Sequence, residues 1–205
     1  MLLGSLAKLN YLDYDTSSRT YRPTLRVMLL GAWMHEEVFH GGDLLSAMER
    51  IRRRTGLTVL IGVRQSFDLR YILVIRGAKT RAPIPMPVGF TVPLLRSSSG
   101  RVLVSQMADD AIQRLVRHFN AASSDEARVK LSEVMRDVSE CRKTGWVENF
   151  HYPAIGLGSF ATSLPYVDHQ PPMTLTVAGE TSYLEAHRQQ VREEVGAALR
   201  IIECA

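Results

Sequence analysis

Ser97-Ser98-Ser99-Gly100 is the stretch of this chain best suited to hold a ligand. An apolar run, Val88, Phe90, Val92 and Leu94, passes through Pro93 into these residues and restarts as Val102, Leu103 and Met107, the pattern of a strand feeding a helix. The first backbone N–H groups of a helix have no partner inside it, and small neighbours leave them open to a carboxylate or phosphate. The same residues also read as a plain serine N-cap, whose hydroxyl satisfies one of those N–H groups and binds nothing further. The local pattern leaves both readings open.

Other groupings imitate catalytic or cofactor motifs and fail on spacing or context. Gly156-Leu157-Gly158-Ser159-Phe160-Ala161 matches the dinucleotide pattern G-x-G-x-x-A, which needs a strand before it and a helix opening on it. Thr162, Ser163 and Pro165 follow instead and continue as strand or loop. In His35-Glu36-Glu37-Val38-Phe39-His40 the histidines are five apart, about 140° around a helix, whereas two zinc ligands on one face need a spacing of four. Ser5-Leu6-Ala7-Lys8 has the S-x-x-K form of penicillin-recognising enzymes without an S-D-N or K-T-G element. Among His35, His40, His118, His151, His169 and His187, only His151 with Ser159 offers a base beside a nucleophile, and no orienting acid is nominated. Cys141 and Cys204 form neither a disulfide framework nor a metal spacing. The expectation is a protein without catalytic residues, metal or cofactor.

With 205 residues, 45% of them hydrophobic, the chain can bury one main core plus a small appendage. Its net charge of +4 permits a polyanionic partner without requiring one. Met1-Leu2-Leu3-Gly4 has no charged leader, and no apolar run approaches the eighteen or so residues of a membrane span. A cytoplasmic protein with no membrane partner is expected.

The elements that must position the serine turn follow from pattern. Residues 5 to 9 read as a helix end, and Asn10 to Arg22 as a short hairpin with a polar tip at Asp15-Thr16-Ser17-Ser18. Pro23 suits a first helical position, after which Leu25, Met28, Leu29, Ala32 and Trp33 form an amphipathic stripe. Leu44, Leu45, Met48 and Ile51 predict a second helix, ending in Arg52-Arg53-Arg54 with Gly56 just beyond. Leu57 to Val63 and Leu69 to Ile75 form a hairpin, and Pro83, Pro85 and Pro87 make an extended connection into the strand before the serines. After them, helices are predicted over Val102 to Met107 and Ile112 to Phe119. A longer helix carries Ala127, Leu131, Val134, Val138 and Cys141 and stops at Gly145. Trp146 to Phe150, Ser159 to Leu164 and Met173 to Val177 supply three more strands. The last helix opens on the capping box Ser182-x-x-Glu185, with Leu184, Val191, Val195, Ala198 and Ile202 on one stripe. Strands and helices do not alternate strictly, so an α+β fold with an antiparallel sheet covered by helices is expected.

Several residues act as an ordered set: Leu29-Leu30-Gly31, Gly89-x-x-x-Pro93-x-x-x-Ser97-x-x-Gly100-Arg101, Arg142-Lys143-x-Gly145-Trp146, Gly156-x-x-Ser159-x-Ala161, and Leu175-Thr176-Val177-Ala178-Gly179. In order and spacing this set resembles the IclR family of bacterial transcriptional regulators over nearly the whole chain. The resemblance implies a winged helix-turn-helix, a linker helix and a GAF-like effector domain whose cavity takes a small, often acidic, metabolite. Residues 1–22 would then be a remnant of the DNA-binding domain (the end of the recognition helix and the wing hairpin), 23–40 the linker helix, and 41–205 the effector domain. The loop offering N–H groups to the effector would be Ser98-Ser99. Asn149 falls where a relative has an aspartate, Ser159 where it has a cysteine, and Thr176 and Ala178 where it has two serines.

The resemblance further implies a homodimer or homotetramer in which the effector changes the spacing of DNA-binding units. Lys8, Arg19 and Arg22 would touch phosphates through the wing, positioning the protein without reading sequence. A full family member carries roughly fifty more residues in front, which hold most of the recognition helix. That difference supports an alternative, a stand-alone ligand-sensing or protein-interaction module without sequence-specific DNA binding.

Overall fold

The structure, a computed structural model, describes residues 2–29, 43–78, 86–165 and 170–203. The chain divides into two compact units, Met1–Leu45 and Ser46–Ala205.

In the first unit, helix α1 (Leu2–Lys8) precedes the antiparallel hairpin of β1 (Leu12–Asp15) and β2 (Thr20–Pro23). The hairpin tip forms because the Asp15 carboxylate accepts the N–H and hydroxyl of Ser17 and the N–H of Ser18, bonds that hold the carboxyl down at about 2. Pro23 does not open a helix: it ends β2 opposite Leu12. The helical turn at residues 26–29 is started by Thr24, whose hydroxyl accepts the Arg26 N–H and donates to the Asn10 carbonyl. Leu25, Met28 and Leu29 are exposed. The remaining stripe residues Ala32 and Trp33, the His35–His40 segment, Pro83, Pro85, His169 and Cys204 lie outside the described residues.

The second unit is built on a six-stranded antiparallel sheet in the order β5-β4-β3-β8-β7-β6. Its strands are β3 (Thr58–Gln65), β4 (Asp68–Ile75), β5 (Thr91–Pro93), β6 (Trp146–Phe150), β7 (Leu157–Ser163) and β8 (Met173–Glu180). Helices α2 (Asp43–Thr55), α3 (Ser98–Ser105), α4 (Asp109–Ala122), α5 (Leu131–Thr144), α6 (Thr181–Ala186) and α7 (Arg188–Glu203) flank it. Helix α3 lies against β6, β7, β8 and α5, which places the serine turn over the middle of the sheet. Leu60, Leu69, Leu94, Val104, Ile112 and Val138 are fully buried in the core around it. The α+β architecture with an antiparallel sheet flanked by helices is therefore the one the sequence predicts, including the basic last turn of α2 and the left-handed Gly56 (φ 72°) whose N–H returns to the Arg52 carbonyl.

Three local expectations differ. The strand before the serines is only Thr91–Pro93, because Pro87 to Phe90 turn, with Gly89 at φ 89° giving its N–H to the Tyr71 carbonyl. Ala127 sits in a single 3-10 turn, Asp125–Ala127, and not in α5. The Asn120 amide bonds both the N–H and the carbonyl of Val129, tying the end of α4 to the segment just before α5. The Ser182-x-x-Glu185 box does not cap: Glu180 occupies the cap position with no side-chain bond, and the chain breaks at His187 between α6 and α7. Thr181 instead gives its N–H to the Gly156 carbonyl, so the β7 approach fixes where α6 starts. Leu184, Val191, Val195 and Ala198 are buried as the stripe predicts, while the Ile202 side chain lies outside the described set. No described helix is long and apolar enough to cross a membrane.

Candidate functional site

Ser97 is an N-cap: its backbone is extended (φ −97°, ψ 148°) and its hydroxyl accepts the Gly100 N–H at 3.1 Å. That bond leaves the N–H groups of Ser98 and Ser99, which have no acceptor among the described residues although the two serines are 1% and 0% exposed. Both N–H groups belong to the first helical turn and point out of its N-terminal end, past Ser97. Gly100 makes the turn possible, since a Cβ there would run into the Leu94 carbonyl. The serine hydroxyls face the sheet. Ser98 and Ser159 share a hydrogen bond of 2.8 Å, Ser99 and Thr176 one of 2.6 Å, and Tyr71 Oη lies 3.0 Å from Ser99 Oγ.

Beside this turn lies a small, partly open cavity of about 20 Å³, room for roughly one water. Its walls are Tyr71, Met86, Val92, Ser97, Tyr152, Pro153, Leu157, Ser159 and Ala178. Of the residues singled out from the sequence, Ser159 and Ala178 line the cavity, and Ser98, Ser99 and Thr176 stand in the hydroxyl network behind it. Asn149 lies outside the lining and donates through Nδ2 to the Arg96 carbonyl at 2.7 Å. Sequence reasoning missed Tyr71 and Tyr152. A tyrosine among the apolar residues of a predicted strand was the available signal for the first, because a buried hydroxyl needs a partner.

The cavity is neutral. Burial pushes the Tyr71 phenol up to about 12, against the opposing hydrogen bond from Ser99. Burial likewise raises the Tyr152 phenol, with the Arg96 guanidinium, 5.2 Å from the ring centroid, pulling the other way. No lining side chain is a carboxylate or a cation.

The other candidates do not converge. His151 accepts the Gly156 N–H on Nδ1, while the Ser159 hydroxyl is taken by Ser98, so no base–nucleophile pair forms between them. Gly156 precedes strand β7 with a left-handed backbone (φ 85°), and a Cβ on Gly158 would crowd Leu184 and Phe150, so the first glycine serves a turn and the second close packing. An open cleft of about 510 Å³ lies by His151, Glu180, Thr181 and Glu185, and one of about 350 Å³ by Glu148, Arg188 and Arg192. No cluster of potential metal ligands occurs among the described residues. In the first unit, Lys8 and Arg19 are exposed, and Arg22 lies 3.8 Å from Asp15.

Residues 43–203 match the family profile described as bacterial transcriptional regulator IclR C-terminal. The HTH-type transcriptional regulator TsaQ1/TsaQ2 of Comamonas testosteroni is 23% identical over 212 residues, 96% of this chain and 76% of that protein. The effector domain of an IclR transcriptional regulator from Acinetobacter sp. ADP1 has the same fold, with a TM-score of 0.74 at 25% identity over 83% of this chain and 99% of the other. An IclR family regulator from Brucella abortus gives a TM-score of 0.74 at 18% identity, covering 100% of this chain and 78% of its own. The IclR of Thermotoga maritima gives 0.69 at 15% identity, covering 97% and 82%. At these last two identities the likeness is one of fold.

Proposed function

Because this chain belongs to the IclR family of bacterial transcriptional regulators, whose C-terminal domain its residues 43–203 match, we propose that it senses a small acidic or aromatic-acid metabolite at the start of α3 and modulates DNA binding accordingly. The observation that carries this reading is the pair of buried Ser98 and Ser99 N–H groups without acceptors, opening past Ser97 beside the cavity. A carboxylate satisfies both and gains from the helix N-terminus. Ser159 and Ala178 form the walls, Thr176 fixes Ser99, and Asn149 fixes the backbone ahead of the turn.

The cavity is too small for a metabolite as it stands, so the effector selects an arrangement in which the walls have moved apart. In a homodimer or homotetramer, that choice alters the spacing of DNA-binding units, with coupling of about 1–3 kcal/mol between the sites. Residues 1–22 act as the end of the recognition helix and the wing, 23–40 as the linker, whose described helical turn begins only after Thr24, and 41–205 as effector domain. Lys8, Arg19 and Arg22 contact phosphates. The protein works by binding and carries no catalytic role.

Calorimetric titration with benzoate, 4-hydroxybenzoate, pyruvate and glyoxylate tests the reading. At least one acid is expected to bind the wild type, and Ser159→Leu, which fills the cavity wall, is expected to abolish that binding while the circular dichroism spectrum is retained. Binding unchanged in the folded variant contradicts the site.

A further inference from the structure

A carboxylate entering this cavity brings a charge into a space that no cation lines. Two backbone N–H groups supply hydrogen bonds but no countercharge. Arg101 is already committed to the Asp137 carboxylate and the Leu95 carbonyl, and Arg70 to Gln65 and the Gly89 carbonyl. Arg96 is different. It immediately precedes the Ser97 cap, is half-buried, and makes no ion pair among the described residues. Asp68, a carboxylate whose field Tyr152 feels, makes none with it either. Its guanidinium rests over the ring of Tyr152, 5.2 Å from the centroid, and Tyr152 is itself a cavity wall. The Arg96 backbone is pinned, since its carbonyl accepts the Asn149 amide at 2.7 Å. Only the side chain is free to swing.

Resting on the effector reading above, we propose that Arg96 is the specificity-determining residue of the site: its guanidinium leaves the Tyr152 ring to pair with the effector carboxylate. The ring of Tyr152 is its parking place in the empty pocket, where cation–π attraction substitutes for an ion pair. The planar fork then reaches a carboxylate whose other lone pairs take the Ser98 and Ser99 N–H groups, a pairing that a neutral molecule of the same shape cannot make. The site thereby favours acids over their neutral analogues.

The test uses acid and amide pairs of equal size on the full chain: benzoate with benzamide, 4-hydroxybenzoate with 4-hydroxybenzamide, and pyruvate with pyruvamide. Affinities are read by calorimetry for the wild type, Arg96→Gln and Arg96→Lys. The wild type is expected to prefer at least one acid over its amide by about 100-fold. Arg96→Gln should cut acid affinity by about 10- to 100-fold and leave the amide unchanged, so that the preference collapses, while Arg96→Lys, keeping the charge without the fork, falls between. Should folded Arg96→Gln lose acid and amide equally, or keep the wild-type preference, the inference is overturned and the pocket stands. Equal binding of acids and amides by the wild type also overturns it alone. If none of the six probes binds the wild type, the pocket reading fails and this inference with it. Arg96→Lys guards against misfolding, because a charge-retaining variant that binds acids like Arg96→Gln contradicts the ion pair.

Discussion

Two helices of this sheet begin beside a cavity, α3 after β5 and α6 after β8, and both carry serine near the first turn. At α3, Ser97 caps through its hydroxyl, Ser98 and Ser99 are buried, and the neighbouring cavity is small and free of carboxylates. At α6, Glu180 occupies the cap without a side-chain bond, Ser182 and Glu185 are exposed, and the cleft is wide and lined by both glutamates. Size favours the second place and chemistry the first. An anion meets two acceptor-less N–H groups at α3 and two negative charges at α6, so helix starts are distinguished by what tertiary packing sets around them.

The sharpest way to break this contrast is at Gly100. Glycine to alanine inside a helix ordinarily stabilises by up to about 1 kcal/mol, as expected for Gly196→Ala in α7, where a Cβ meets only the tip of Arg200. Gly100→Ala should instead cost about 3 kcal/mol or more in urea unfolding, because the added methyl strikes the Leu94 backbone.

Alkaline pH gives the next effect. Burial lifts the Tyr71 phenol from 10.0 to about 12, so the folded state holds its proton more tightly than the unfolded chain does. The corresponding stability is complete below pH 10 and is lost as pH rises from 10 to 12, a change of about 3 kcal/mol at 1.36 kcal/mol per pKa unit. Tyr71→Phe should remove that decline from the pH dependence of unfolding.

The smallest effects compare the caps directly. Ser97→Ala should cost about 1 kcal/mol through the lost bond to the Gly100 N–H, and Ser182→Ala less than about 0.5 kcal/mol. Equal losses, measured by thermal unfolding, contradict the distinction between the two starts.

Much of the fold was legible because its strands are β-rich runs bounded by turn residues, and its helices carry apolar stripes that end at Gly56 and Gly145. The Ser97 cap was legible for the same local reason. The capping box at Ser182 misled because a tertiary bond, Thr181 N–H to the Gly156 carbonyl, outranks a local motif. Tyr71, Tyr152 and Arg96 were not legible as neighbours. They come from β4, from the loop after β6 and from the turn before α3, and only the sheet order brings those segments to one cavity. Asn149 entered as an effector contact through the family resemblance alone; it stands outside the cavity lining, and its attachment to the Arg96 carbonyl needed coordinates.

A crystal structure of the protein with an acid that binds it tests the central claim most directly. The account expects the carboxylate within hydrogen-bond distance of the Ser98 and Ser99 N–H groups, with the cavity between Tyr71, Tyr152 and Ser159 enlarged around the ligand. A ligand seated in the cleft by His151 and Glu185, with the cavity still near 20 Å³, would contradict it.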